Sequence, residues 1–189
     1  MISVTAPAAG ADGAITATAE VKDANANSVV FLVNGKKILS EGSANIPVTN
    51  GKASVTIDST VMLGNMQNTI EALGVNSTGS YIPGLMNFAT FEGPEVALEG
   101  TVQVSSDRAG EVSYAGDTLT AEVTVTGEIK GNLTYQWYAG EQAITGATKA
   151  SYQLTRNEVG KTVSVRVSST VESGTITQAY AGAVNEKPT

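Results

Sequence analysis

The chain of 189 residues contains neither cysteine nor histidine. Without cysteine it forms no disulfide bonds, and without both residues it lacks zinc sites of the usual ligand set. Mechanisms that need a Cys thiolate or a Ser–His pair are excluded for the same reason. Most hydrolase chemistry is therefore closed to this chain, and we expect that it is not an enzyme.

Basic residues are also scarce. The chain has 11 Lys and Arg against 18 Asp and Glu, a net charge of -7, and only 15% of its residues are charged. A nucleic-acid-binding surface needs a basic stripe that neutralises phosphates. We therefore expect neither nucleic acid nor an anionic membrane as a partner. No stretch reaches the ~18 apolar residues that span a bilayer, so membrane insertion is not expected either.

The apolar residues that are present alternate with polar ones. In the segments 15–21 and 53–57 every second residue is apolar, which is the pattern of half-buried β-strands. Asn34-Gly35 separates two further strand-like runs, and Asn-Gly favours the type I′ turn of a hairpin. Asn50-Gly51 predicts a second hairpin, between segments 46–49 and 52–57.

A turn-forming, charged segment, Glu92-Gly93-Pro94-Glu95, interrupts the strand pattern near the middle of the chain. We predict two domains, residues 1–93 and 97–187, with residues 94–96 as the linker. The length fits two β-sandwiches of about 100 residues each.

The two halves resemble each other. Residues 18–21, Thr-Ala-Glu-Val, recur as residues 120–123, and residues 52–57 recur in outline as residues 149–154. The order of the two motifs is the same in both halves, which favours an internal repeat. Two copies of one sandwich are the simplest interpretation.

The second half carries a more specific pattern in residues 133–138, 144–148, 152–155 and 159–167. These segments resemble the immunoglobulin-like (Big-type) repeat domains of bacterial surface and secreted proteins, over about residues 100–184. The resemblance implies an immunoglobulin-like sandwich in an extracellular or virion-surface setting, and it implies no single activity. The first half is a looser match to the same class.

The aromatic residues of this pattern predict the core. Trp137 is the only tryptophan, and Tyr135 and Leu133 flank it on its own face, so we expect it to fill the space between two sheets. In the first half, Phe31 lies where the resemblance would place a tryptophan.

Two groups of oxygen-bearing residues are candidates for calcium. Asp23, Asn25 and Asn27 have the alternate spacing of calcium-loop ligands, although the turn glycine and the bidentate glutamate of such a loop are missing. The alternative is a turn between the second and third strands. The acids Glu92 and Glu95, with Glu99, are candidates for calcium between the domains, and the alternative is a solvated charge cluster. We expect no other cofactor.

Four tyrosines fall outside the clear core phase and are candidates for stacking on sugars: Tyr138, Tyr114, Tyr81 and Tyr180. Tyr138 and Tyr114 are the preferred pair. The alternative is that all are ordinary tyrosines at the rim of a sandwich.

The sequence thus predicts an all-β chain of two tandem immunoglobulin-like β-sandwiches. We expect a non-catalytic structural or adhesive module of a bacterial cell-surface protein, of the S-layer or adhesin type, that acts as a rigid spacer and interaction surface. The expected location is extracellular, and the expected partners are other copies of the protein or a cell-surface polysaccharide. The alternatives are a carbohydrate-binding accessory module of a secreted enzyme and an immunoglobulin-like decoration module of a phage virion.

Overall fold

The computed structural model of the chain describes residues 1–5, 14–110 and 112–188. The chain divides into two compact units, Met1–Glu95 and Val96–Thr189. In the described residues the helical structure consists of two three-residue 3₁₀-helices, Ser59–Val61 and Arg156–Glu158. The sheets are antiparallel, as the alternating sequence pattern predicts.

The described residues of the first unit form eight strands: β1 (Ile2–Thr5), β2 (Ile15–Val21), β3 (Ser28–Val33), β4 (Lys36–Lys37), β5 (Ile46–Pro47), β6 (Lys52–Ile57), β7 (Gln67–Val75) and β8 (Tyr81–Glu92). They form a sheet of order β1-β2-β6 and a second sheet of order β4-β3-β7-β8, in which the short β5 also pairs with β3.

In the second unit, the part of the chain that the structure describes forms seven strands: β9 (Gly100–Ser106), β10 (Thr118–Val125), β11 (Leu133–Ala139), β12 (Gln142–Ala143), β13 (Ser151–Gln153), β14 (Val163–Ser169) and β15 (Thr175–Ala179). They form sheets of order β13-β10-β9 and β12-β11-β14-β15.

The two units have the same topology. In each, the first strand pairs with the second, the second pairs with the strand that precedes the 3₁₀-helix, and the remaining main strands form the other sheet. Each buried core contains side chains from both sheets of its unit. Both units are immunoglobulin-like β-sandwiches, which confirms the predicted fold class.

The sequence repeat is also a repeat of register. Ala19 lies opposite Ala53 in the first unit. In the second unit, the equivalent Ala121 donates its backbone N–H to the carbonyl oxygen of Ala150 at 2.8 Å. Residues that match in sequence therefore also pair in the same way.

Phe31 and Trp137 occupy equivalent positions at the centres of the two cores. Both side chains are fully buried. The carbonyl oxygen of Phe31 accepts the N–H of Ile38, and that of Trp137 accepts the N–H of Ile144, each at 2.9 Å. The indole N–H of Trp137 donates to the carbonyl oxygen of Lys149 at 2.9 Å, so its one polar group is satisfied.

The remaining core of the second unit follows the alternation of its strands. Val163, Val165 and Val167 are buried in one cluster with Leu119 and Trp137. Valines from one sheet and apolar residues from the other thus fill the space beside the indole. Tyr135 is only half-buried, and it packs against the edge of this cluster.

The two Asn-Gly segments form tight turns with positive φ angles at both residues. Asn34-Gly35 joins β3 to β4, as predicted. At Asn50-Gly51 the prediction of a regular hairpin is wrong. Thr49 and Lys52 exchange backbone hydrogen bonds at 2.8 and 3.0 Å. The preceding β5, however, pairs with β3 and not with β6, because Ile46 is buried opposite Val29.

A candidate interaction surface on the first unit

The outer face of the sheet β4-β3-β7-β8 carries the most exposed apolar side chains of the β-strands that the structure describes. Side chains alternate across a sheet, and directly paired residues share a face. Phe31 and its partner Ala72 face the core, so Leu32 and Glu71, which neighbour them along the strands, face outward.

The register arranges this face in two rows. The first row runs Lys37, Leu32, Glu71 and Phe88 across the four strands. The second row runs Val30, Leu73 and Met86. Except for Lys37 and Glu71, all these residues are apolar. We call the five apolar residues the outer patch: Val30, Leu32, Leu73, Met86 and Phe88.

The outer patch is open to solvent on its β8 side. Phe88 is 63% exposed and Met86 is 55% exposed, while Leu32 and Leu73 are half-buried. Val30 is buried but lies outside the core cluster of the sandwich. Contiguous exposed apolar side chains of this kind mark interaction sites in folded proteins.

The second unit shows what the same face contains when it is not apolar. At the positions of Leu32, Glu71 and Phe88 its register places Tyr138, Ser164 and Ala179. At the positions of Val30, Leu73 and Met86 it places the polar row Gln136, Arg166 and Thr177. The same topology therefore forms without an apolar outer face, so the sandwich itself does not require the outer patch.

Charged and polar side chains border the outer patch. Lys37 lies at one edge, and its ammonium group is 5.9 Å from the centre of the Tyr81 ring. Glu92 lies at the end of the outer face, opposite Gln67, and is exposed. An apolar centre with a polar rim is the usual composition of a protein–protein interface.

The free side of β8 is partly closed by Asn87. Its Oδ1 atom accepts the backbone N–H of Phe88 at 2.7 Å, and its Nδ2 atom donates to the carbonyl oxygen of Ile2 at 3.1 Å. One side chain thus satisfies a backbone donor of an edge strand and ties β8 to β1. Features that occupy edge-strand backbone groups oppose pairing with strands of another chain.

The predicted calcium residues Asp23, Asn25 and Asn27 lie in the loop between β2 and β3. The Oδ1 atom of Asp23 accepts the backbone N–H of Asn25 at 3.0 Å, and its carbonyl oxygen accepts that of Ala26 at 3.2 Å. The segment is therefore a turn stabilised by its aspartate. Calcium binding by these residues stays a prediction.

Glu92 and Glu95 are both exposed near the end of the first unit. Between them, the carbonyl oxygen of Pro94 accepts the backbone N–H of Asn65 at 2.9 Å. In the described part of the chain, acidic residues form no group of three or more that is arranged to hold a metal ion.

Tyr114, a predicted stacking residue, lies beside an ion pair. The guanidinium of Arg108 is 4.9 Å from the centre of the Tyr114 ring, and it donates to both carboxylate oxygens of Asp117 at 2.8 and 2.9 Å. These bonds from Arg108 hold the pKa of Asp117 below its usual range, and the backbone N–H of Tyr114 adds to the effect.

Tyr138, the other preferred stacking residue, lies under the guanidinium of Arg166 at 4.3 Å from the ring centre. In both tyrosines an arginine therefore covers one face of the ring. The prediction that Tyr180 is a surface stacking residue is wrong. Its ring is buried, and its hydroxyl donates to the carbonyl oxygen of Gly110 at 3.0 Å.

Sequence reasoning missed the outer patch. The available signal was the alternation of Met86 and Phe88. These two apolar residues lie on the face of the strand that points away from the core, where they do not contribute to core packing. A shift of register between Leu73 and Val75 hid this phase, because the strand β8 has extra residues there.

In the described residues, no helix has the length and apolar content needed to cross a membrane.

Comparisons with known proteins gave structural matches only. No family model matches the chain, and neither does any curated protein. Fibronectin(III)-like modules of CbhA from Clostridium thermocellum are 17% identical with a TM-score of 0.39, covering 98% of this chain and 95% of theirs. The titin domains I67–I69, in an E-to-A mutated variant, are 11% identical with a TM-score of 0.43, covering 94% and 60%. The CD2-binding domain of CD58 is 13% identical with a TM-score of 0.40, covering 90% and 92%. The fold assignment rests on the strand order and register described above.

Proposed function

We propose that this chain is a non-catalytic structural and adhesive module of a bacterial cell-surface protein, of the Big-type immunoglobulin-like class. Its sandwiches act as stiff spacers in an S-layer or adhesin, and the outer patch of the first unit is its contact with a partner. The expected location is extracellular.

One observation carries the proposal: the five apolar positions of the outer patch carry Gln136, Tyr138, Arg166, Thr177 and Ala179 in the second unit, so the large exposed Met and Phe side chains are particular to the first unit. Exposed Phe and Met side chains add nothing to a sandwich core, and they make an isolated protein more prone to association. Burial of these side chains by a partner explains why the chain carries them despite this tendency. Aromatic residues and methionine are also enriched at interface cores.

A polysaccharide partner is less well supported than a protein partner. Arginine side chains cover one ring face of both Tyr138 and Tyr114, which leaves a single face for a sugar. The outer patch lacks the dense set of polar groups that orients a sugar, since Lys37 and Glu71 are the only charged residues in its two rows.

Photo-cross-linking in the native host tests the proposal. A benzophenone-bearing residue is placed at position 86 in one variant and at the equivalent position 177 in the other. We expect covalent adducts with cell-surface protein from position 86 and few or none from position 177.

Thr177 is the matched control because it has the same place in the second sandwich and is exposed. Equal adduct yields from both positions, or no adducts from position 86 on intact cells, would contradict the proposal.

A further inference from the structure

We propose that the partner of the outer patch is a second copy of this chain, docked face to face about a two-fold axis parallel to the strands. This inference rests on the proposed role of the outer patch as a contact surface.

The neutral charge of the outer face permits this occupant. The chain has a net charge of -7, so two copies repel each other over most of their surfaces. The two rows of the outer face carry one positive residue, Lys37, and one negative residue, Glu71. Two copies therefore meet at this face with balanced charge.

The order of the strands makes the face complementary to itself. A two-fold axis parallel to the strands places β4 of one copy over β8 of the other, and β3 over β7. Lys37 of one copy then lies over Phe88 of the other. Glu71 is one strand, about 4.8 Å, from Phe88, within reach of a lysine side chain. Each Lys37 thus meets the Glu71 of the other copy, and the pair forms twice.

The alternative mode, in which two β8 edges pair through their backbones, is opposed by Asn87. Its side chain already holds the N–H of Phe88 and ties β8 to β1. Association through the face leaves these bonds intact.

The outer patch occupies part of one sheet face, so the interface is small. We expect weak association, with a Kd between about 10 µM and about 1 mM. Such an affinity suits contacts that are repeated many times in a surface array.

Sedimentation velocity of the whole chain over this concentration range tests the inference. Wild type is expected to shift from monomer to dimer, and Phe88→Lys to weaken dimerisation at least tenfold. Ala179→Lys, the same change at the equivalent position of the second unit, is expected to leave dimerisation unchanged. Thermal unfolding of each variant verifies that it is folded.

Charge reversal tests the two-fold arrangement itself. Lys37→Glu and Glu71→Lys should each weaken self-association several-fold, because each variant faces like charge twice. An equimolar mixture of the two variants restores both opposite-charge pairs, so it should dimerise about as well as wild type.

A wild-type chain that stays monomeric throughout the range would overturn the inference, as would a mixture that dimerises no better than its components. If position 86 nevertheless cross-links to a different surface protein, the proposed contact function stands and only the second copy is wrong as its partner.

Discussion

Phe88 and Ala179 occupy the same position in two sandwiches of the same topology. Each lies on the last strand of its unit and on the outer face. Each is also in the row that contains the residue directly after the central aromatic residue. One position carries a large exposed aromatic ring and the other a methyl group. Because the fold is common to both, this difference separates what the sandwich needs from what a partner needs.

The buried carboxamide of Asn68 holds the loop that precedes β7. It accepts the backbone N–H of Leu63 at 2.7 Å and donates to the carbonyl oxygens of Leu63 and Met66 at 2.9 Å. We predict that Asn68→Ala lowers the free energy of unfolding by about 1–3 kcal/mol, because the backbone N–H and carbonyl groups of Leu63 lose their partner in the loop.

Urea unfolding followed by circular dichroism measures this loss. Asn25→Ala, a change of the same kind at an exposed site, should cost less than about 1 kcal/mol. Similar losses for the two variants would show that Asn68 has no special role.

The indole of Trp137 contributes both volume and a hydrogen bond. Trp137→Phe keeps an aromatic ring but removes the N–H that bonds to the carbonyl oxygen of Lys149. We predict a loss of about 1–3 kcal/mol from the cavity and the unpaired carbonyl. Tyr138→Phe, next to it on the outer face, should change stability by less than about 0.5 kcal/mol. Thermal unfolding compares the two, and an unaffected Trp137→Phe chain would contradict the description of this core.

The carboxylate of Glu172 makes the stability of the second unit depend on pH. It accepts the backbone N–H groups of Lys130 and Gly131 at 2.7 and 3.2 Å, and the hydroxyl of Ser169. These bonds, that from Lys130 first, lower the pKa of Glu172 from 4.5 to about 2. The unfolded chain therefore takes up the proton at higher pH than the folded chain.

The stabilisation by Glu172 is accordingly complete above pH 4.5 and is lost as the pH falls towards about 2. Urea unfolding measured across this window should show a smaller decline with falling pH for Glu172→Gln than for wild type. Glu122→Gln, at an exposed position of β10, serves as the control and should follow wild type. The hypothesis fails if Glu172→Gln does so too.

Most of the fold was predictable because its signals are local. The alternation in residues 15–21 and the positive φ angles that Asn34-Gly35 tolerates follow from short-range rules. The matching motifs at residues 18–21 and 120–123 indicated the repeat. The pairing of β5 was not predictable in this way, because burial of Ile46 against a distant strand decided it.

The candidate site was less accessible to sequence reasoning. Which face of β8 points outward depends on its register with β7, and that register shifts near Leu73. Tyr180 likewise falls outside the apolar phase of its segment in the sequence, but in the structure its ring is buried beside the backbone of Gly110. Both outcomes depend on long-range packing.

Oxidation of methionine side chains on intact cells tests most directly the claim that the outer patch is a contact surface. Met86 of the outer patch is 55% exposed, and Met66, which lies outside the patch, is 39% exposed. Mild peroxide treatment, followed by mass spectrometry, gives the ratio of sulfoxide at these two positions. If the outer patch is a contact surface, the ratio of sulfoxide at Met86 to sulfoxide at Met66 is several-fold lower on intact cells than in the dilute isolated chain. An identical ratio in the two settings would contradict the account.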